Sequence, residues 1–256
     1  MNFDLQLARY LADRAANAYH TTSADQTIIA GTGALAEISF YGDCTVLAFK
    51  GTSTIRDWLV DLDVLKEPLA NGVRIHAGFM RDADCILPLI ISKLLPAGAD
   101  KSKLKPIILT GHSLGGALAT LVAFFLQREG FNIQAVYTFG SPRVGNGGFR
   151  DAYTIPLGAK TFRVVCAGDL VPLVPGLFTT PMDGYRHVGT EVYLNGMIYI
   201  APSRLIEIAL DAWRVFWAIR RADYDFVVQF HSITSNYLQQ LSASNLVSGL
   251  PHFPDL

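Results

Sequence analysis

Apolar residues recur along this chain in two rhythms, one at helical spacing and one in short, nearly continuous runs. The opening stretch "MNFDLQLARYLADRAANAY" alternates charge with apolar positions at helical spacing and predicts an amphipathic helix. After it, "AEISFYG" and "TVLAFKGT" predict consecutive strands joined around Gly42-Asp43. A helical stretch over 79–95 leads to "KPIILT", a short apolar run of the kind found in buried parallel strands. A helix starting near Ser113, the strand "IQAVYTFGSP", a helix over 146–153 and the strand "TFRVVCAGD" follow in turn. In "GYRHVGTEVYLNGMIYIA" two β-rich runs are joined by Asn195-Gly196, a hairpin signal, and helical segments over 203–221 and 226–242 come last. Strands alternating with helices imply an α/β fold: a mostly parallel central sheet with helices on both faces. No internal repeat, low-complexity tract or linker divides the chain, so one domain is expected over 1–256.

Composition narrows what that domain could do. Half of the 256 residues are apolar, enough for a sizeable core. The formal net charge is −1 and the basic residues are scattered, which argues against a nucleic-acid partner. Cys44, Cys85 and Cys166 are odd in number and far apart, fitting neither a disulfide framework nor zinc-ligand spacing. The N-terminus lacks the uninterrupted apolar run of a signal peptide, so a cytoplasmic chain, or a mature secreted form, is expected.

Against that background one stretch carries chemistry. In "LTGHSLGGALATL" a strand gives way to a helix within the pattern G-x-S-x-G, where Gly111 and Gly115 permit the bend and Ser113 stands at its apex. Such a nucleophile elbow lifts a hydroxyl above the carboxyl edge of the sheet and points the first amides of the helix at the same place. A serine needs a base, and the base an orienting acid. Asp169 stands at the end of "TFRVVCAG", before the prolines of "LVPLVP", where a chain turns over the sheet edge. The other later acids, Asp151, Asp183, Glu191, Glu207, Asp211, Asp223, Asp225 and Asp255, take solvated positions by default. Of the histidines that follow Asp169, His187 lies within the expected hairpin and reads as structural, and His252 lies in a Pro-rich tail. His231, just before the terminal helix, is the expected base, its Nε2 within hydrogen-bond reach of the Ser113 hydroxyl. His76 and His112 come before or within the elbow, and no H-E-x-x-H pair occurs, so no metal site is expected.

Taken together, "VLAFKGTSTIRDWLVDL", "IHAGF", "LTGHSLGGALATL", "TFGSPRVGN", "GDLVPLVP" and "YRHVGTEVY" resemble the class 3 lipases, the fungal-lipase-like branch of the α/β-hydrolases, in order and near spacing over about 40–200. The resemblance implies an α/β-hydrolase fold and hydrolysis of acylglycerol-type lipid esters by Ser113, Asp169 and His231 without a cofactor. It also implies an oxyanion hole formed by Thr52, through its amide and hydroxyl, and by the amide of Leu114. "TVLAFKGT" agrees with that placement, being a strand that ends in a Gly turn with its next amide free to point outward. Lys50 stands where the family usually has arginine, and Phe230 precedes His231 where bacterial-type relatives often have aspartate.

Two apolar stretches bear on the substrate. "STIRDWLVDLDVL" corresponds to the family's lid and puts Ile55, Trp58, Leu59 and Leu62 on one helical face; the alternative is a plain surface helix. "SRLIEIALDAWRVFWAIRR" is apolar apart from a narrow charged stripe and carries Trp213, Phe216 and Trp217; it is too short and too charged to span a membrane. Its surface must bury in the protein, in a partner or in lipid, so these three residues are candidates for an acyl pocket or a surface contacting lipid aggregates. The alternatives on the same triad are a feruloyl or aryl esterase and a phospholipase; from another class, a non-catalytic lipid-binding homologue.

Overall fold

A computed structural model describes residues 2–20, 24–52, 65–175, 184–200, 230–243 and 245–247. The lid candidates Trp58, Leu59 and Leu62, the pocket candidates Trp213, Phe216 and Trp217, and His252 lie outside the described residues, as does the expected helix over 203–221.

The first helix, α1 (Leu5–Asn17), begins at Asp4, whose Oδ1 accepts the amides of Gln6 and Leu7 at 2.9 and 3.0 Å. Strands β1 (Gln26–Ile29), β2 (Leu35–Phe40) and β3 (Thr45–Phe49) follow, each antiparallel to the next, with β2 and β3 turning at the expected Gly42-Asp43. A separate hairpin of β4 (Lys66–Ala70) and β5 (Val73–His76) leads into α2 (Ala77–Leu94). Next come β6 (Ile107–His112), α3 (Leu114–Arg128), β7 (Ile133–Phe139), α4 (Gly147–Leu157), β8 (Thr161–Cys166), β9 (Thr190–Leu194) and β10 (Ile198–Ile200). After residue 230 a π-helical turn (Ile233–Leu238) runs into α5 (Gln239–Ala243) and a short β11 (Leu246–Val247).

Among the described residues nine strands form one sheet, in the order β1-β2-β3-β6-β7-β8-β9-β10-β11. Its centre, β3-β6-β7-β8-β9, is parallel. β10 returns antiparallel to β9 through Asn195-Gly196, with Gly196 at φ 68°. A parallel sheet must be covered on both faces, and two apolar clusters do this. On one side α2, α3 and α4 supply Ile86, Ile90, Leu118, Leu121 and Phe149. On the other, α1 and the segment after 230 supply Leu11, Ala12, Tyr237 and Leu241 against Tyr137 and Phe139. Helix α3 is apolar almost all round, as a helix enclosed by β3, β6, β7 and its neighbours must be.

Several expectations are corrected here. The strand expected from "GYRHVGTEVY" begins only at Thr190, so His187 lies in the loop before β9 and not inside a hairpin. Glu191, expected in solvent, is 1% exposed; its carboxylate meets Arg163 at 3.3 Å, because β9 is an interior strand covered on both faces. The helix expected over 226–242 is broken within its described part, where Ser232 is extended at φ −65°, ψ 125°. The strand β1 and the β4–β5 hairpin are additions to the expected elements. Asn71-Gly72, at φ 51° and 77°, makes the hairpin turn that this dipeptide favours.

Leu118 sits in the middle of α3 at 0% exposure. Leu118→Ala should lower unfolding stability by about 2–5 kcal/mol. Urea titration checks this: the midpoint should fall with little change in slope.

Candidate functional site

The site is built from the carboxyl ends of the parallel strands. β6 is buried along its whole length and ends at His112, so the chain must reverse at once to begin α3. It does so at Ser113, which adopts φ 59°, ψ −130°, a conformation rarely taken by residues other than glycine. The flanking glycines are required by contact. A Cβ on Gly111 would strike the carbonyl of Gly115, and one on Gly115 would strike the carbonyl of Phe49 at the end of β3. A third glycine acts in the same way, since a Cβ on Gly116 would lie 2.8 Å from that of Ser141. The result is a serine 1% exposed at the head of a helix.

Asp169 follows β8 after Gly168, whose φ of 84° turns the chain over the sheet edge. The carboxylate is fully buried and receives three donors. Val171 N–H reaches Oδ1 at 2.9 Å, the Tyr237 hydroxyl reaches Oδ2 at 2.5 Å, and His231 Nδ1 lies 3.0 and 2.9 Å from the two oxygens. Burial, then the Asp169 charge, pushes the Tyr237 phenol well above its ordinary value, so it stays a donor. Gly140, at φ 58°, makes room for the pair: a Cβ there would sit 2.8 Å from Asp169 Oδ2 and 2.9 Å from His231 Cε1.

The structure therefore brings Asp169 and His231 together and sets them beside the elbow. His231 packs against His112, the residue before Ser113, with ring centroids 4.4 Å apart. With its Nδ1 proton directed at a carboxylate, neutral His231 keeps a lone pair on Nε2. Nε2 and the Ser113 Oγ are both buried, and neither has a hydrogen-bond partner among the described residues. The expected serine–histidine hydrogen bond is thus not formed; such contacts are often loose before a substrate binds. These two atoms are not the sole buried polar atoms without a partner among the described residues, but they lie together at the elbow, one on a hydroxyl and one on an imidazole whose other nitrogen faces a carboxylate, and that arrangement suits proton transfer.

Thr52 comes directly after Gly51 at the end of β3, the strand end that Gly115 touches. Leu114 opens α3, where an amide has no acceptor within the helix. His187 serves the fold instead, its Nε2 meeting the Pro172 carbonyl at 2.7 Å and bracing the turn that follows Asp169. Sequence reasoning missed Tyr237, Gly140 and Gly116. The adjacent glycines of "SLGG" were a signal for the last; nothing local to Tyr237 or Gly140 marks them.

Comparison with known proteins agrees with this geometry. A family model for lipase (class 3) matches residues 46–179. A secreted mono- and diacylglycerol lipase of Fusarium solani is 34% identical over 59% of this chain and 44% of its own length. A chloroplastic phospholipase A1 of Arabidopsis thaliana is 33% identical over 58% of this chain and 36% of its own. The chain thus spans less than half the length of either relative. The crystal structure of a lipase from Rhizopus microsporus var. chinensis superposes with a TM-score of 0.62 at 27% identity, covering 74% of each chain. With an α/β-hydrolase sheet, its elbow and a family match over more than half of its residues, the chain belongs to the class 3 lipase family.

Proposed function

We propose that this chain is a carboxylic ester hydrolase that cleaves acylglycerol-type lipid esters through an acyl-serine intermediate. The observation that carries the reading is the buried Asp169–His231 pair held beside the strained elbow serine. His231 Nε2 takes the proton of Ser113 as Oγ attacks the acyl carbonyl carbon. Asp169 holds the tautomer and balances the imidazolium that forms, while Tyr237 and Val171 keep the carboxylate in place. The amides of Leu114 and Thr52, with the Thr52 hydroxyl, receive the negative oxygen of the tetrahedral intermediate. Its collapse breaks the ester bond, Nε2 returns the proton to the departing alcohol, and water then releases the acid by the same two steps.

The names of the relatives support the substrate class. The Fusarium solani protein is a mono- and diacylglycerol lipase, and the Arabidopsis protein, a phospholipase A1, supports a second reading with phospholipid as the ester. The apolar residues Trp58, Leu59, Leu62, Trp213, Phe216 and Trp217 are proposed to cover the acyl chain. No helix among the described residues is long and apolar enough to cross a membrane, and the Fusarium solani relative is named as secreted. We therefore place the chain's action at the surface of lipid aggregates, reached from the water side.

Ser113→Ala should abolish covalent labelling by a fluorophosphonate and lower kcat on the order of 10⁴-fold or more. Persistent labelling of the folded variant would move the nucleophile elsewhere. Activities on an emulsified diacylglycerol and on phosphatidylcholine vesicles decide between the two substrate readings. Tyr237→Phe removes a donor from a buried carboxylate and should cost about 1.5–3 kcal/mol of stability, measured by urea titration, together with a fall in kcat.

A further inference from the structure

A line of hydrogen bonds that the proton transfers do not use runs behind Ser113. It begins at Tyr19, the second residue beyond α1, whose oxygen packs against Gly51 at the end of β3. Tyr19 Oη lies 2.9 Å from His112 Nδ1, and His112 Nε2 lies 2.6 Å from the carbonyl oxygen of His231. The directions of donation follow from chemistry. A carbonyl only accepts, so His112 Nε2 carries hydrogen. Burial, and after it the nearby His231, holds the His112 imidazole well below the usual histidine range, which keeps it neutral. Nδ1 is then a lone pair, and the Tyr19 hydroxyl donates to it. Packing enforces the path independently: a Cβ on Gly51 would fall on the Tyr19 oxygen and 2.6 Å from the His112 carbonyl.

We propose that Tyr19 and His112 are positioning residues, which act through this line to fix the backbone of His231 against the elbow and against the loop carrying Thr52. The inference rests on the reading of His231 as base. Asp169 restrains the imidazole on its Nδ1 side alone, and a ring held at one edge can still swing its Nε2 away from Ser113. Clamping the His231 carbonyl supplies the second restraint. It comes from His112, adjacent in sequence to the nucleophile, so base and nucleophile share one reference. Misplacement by about 1 Å is enough to lower a rate on the order of a hundredfold.

Tyr19→Phe keeps the ring and removes the hydroxyl. On a short, soluble p-nitrophenyl ester it should lower the kcat of the folded protein about tenfold, the worth of one hydrogen bond, with KM nearly unchanged and the melting temperature down by a few degrees as a buried hydrogen bond is lost. A purely structural residue would lower the melting temperature and leave the kcat of the folded protein intact, so the fall in kcat is what discriminates. His112→Leu should lose on the order of a hundredfold, whereas His112→Gln, which keeps an N–H for the His231 carbonyl, should recover most of the rate. In the His112→Leu background, Tyr19→Phe should have no further effect, because the line is already broken. If His112→Leu does not fold, Tyr19→Phe and His112→Gln carry the comparison. Wild-type kcat in Tyr19→Phe, full additivity of the two losses, or His112→Gln as impaired as His112→Leu overturns the proposal. Fluorophosphonate labelling of the unaltered protein separates the two readings: an unlabelled wild type overturns the hydrolase reading and this inference with it, while normal labelling of wild type and Tyr19→Phe at equal rates overturns this inference alone.

Discussion

The constraint on which the rest depends is backbone meeting backbone at the elbow. Three segments, the end of β3, the end of β6 and the head of α3, come so close that no side chain fits at Gly111 or Gly115. That proximity is what forces Ser113 to φ 59°. Conformations of this kind cost on the order of 1–3 kcal/mol and persist only where the surroundings determine them. Here the surroundings are the buried parallel strands on either side and α3, apolar nearly all round and enclosed by the sheet and its neighbours. Core packing and the strained geometry of Ser113 are therefore one property.

The same economy governs polarity. Asp169 is a charge at zero exposure, tolerable because each oxygen has its donor: an amide, a phenol and an imidazole. Arg163 and Glu191, buried between β8 and β9, meet the same requirement as an ion pair. Several other buried side-chain atoms, Thr138 Oγ1 and Glu37 Oε1 among them, also lack a partner among the described residues, but the Ser113 hydroxyl and His231 Nε2 stand out because they lie together at the elbow, beside the Asp169 carboxylate. Their place, next to a fully partnered carboxylate, and not the mere lack of a partner, is what leaves them open to an incoming group.

What the sequence revealed, and what it hid, divides along the distance over which each signal acts. The elbow, the strand before it and the helix after it were legible because glycine spacing and apolar runs are local consequences of local geometry. Asp169 could be read for a similar reason, as the acid where a strand runs out. The β4–β5 hairpin carries a turn signal in Asn71-Gly72 as strong as Asn195-Gly196, but Pro68 disguises its first strand and the ladder shifts register there. Tyr237 is another matter. It reaches Asp169 because a π-helical turn shifts it around the helix, and no periodicity in "HSITSNYLQQL" announces that turn. Gly140 reads as an ordinary loop glycine until one sees that His231, far later in the chain, occupies the space its side chain would need. His187 reads as part of a strand because "YRHVG" has strand-like composition, although pairing with β8 begins only at Thr190.

The first helix shows how an element with no catalytic group can still govern the site. α1 and the segment after residue 230 cover the same face of the sheet, and they are joined directly, Arg9 Nε donating to the Leu241 carbonyl at 2.7 Å. That segment carries His231 and Tyr237. On its other flank α1 is tied to β2 by Arg14, which reaches Ser39 Oγ at 3.0 Å and Glu37 at 3.4 Å, all three being buried. His231, the proposed base, is thus held by a helix locked to the antiparallel side of the sheet, while Ser113, the proposed nucleophile, belongs to its parallel centre. The two halves of the site meet where β3 joins those regions, so the stretch from Phe49 to Thr52 adjoins each part: Gly115 of the elbow, the Tyr19 oxygen through Gly51, and the place assigned to the oxyanion. That strand end therefore packs at once against the elbow of Ser113, against the Tyr19 support of His231, and beside the Thr52 amide proposed for the oxyanion. Gly51 admits no side chain because the Tyr19 oxygen and the His112 carbonyl fill the space its Cβ would need, so the contact between α1 and the elbow depends on glycine there.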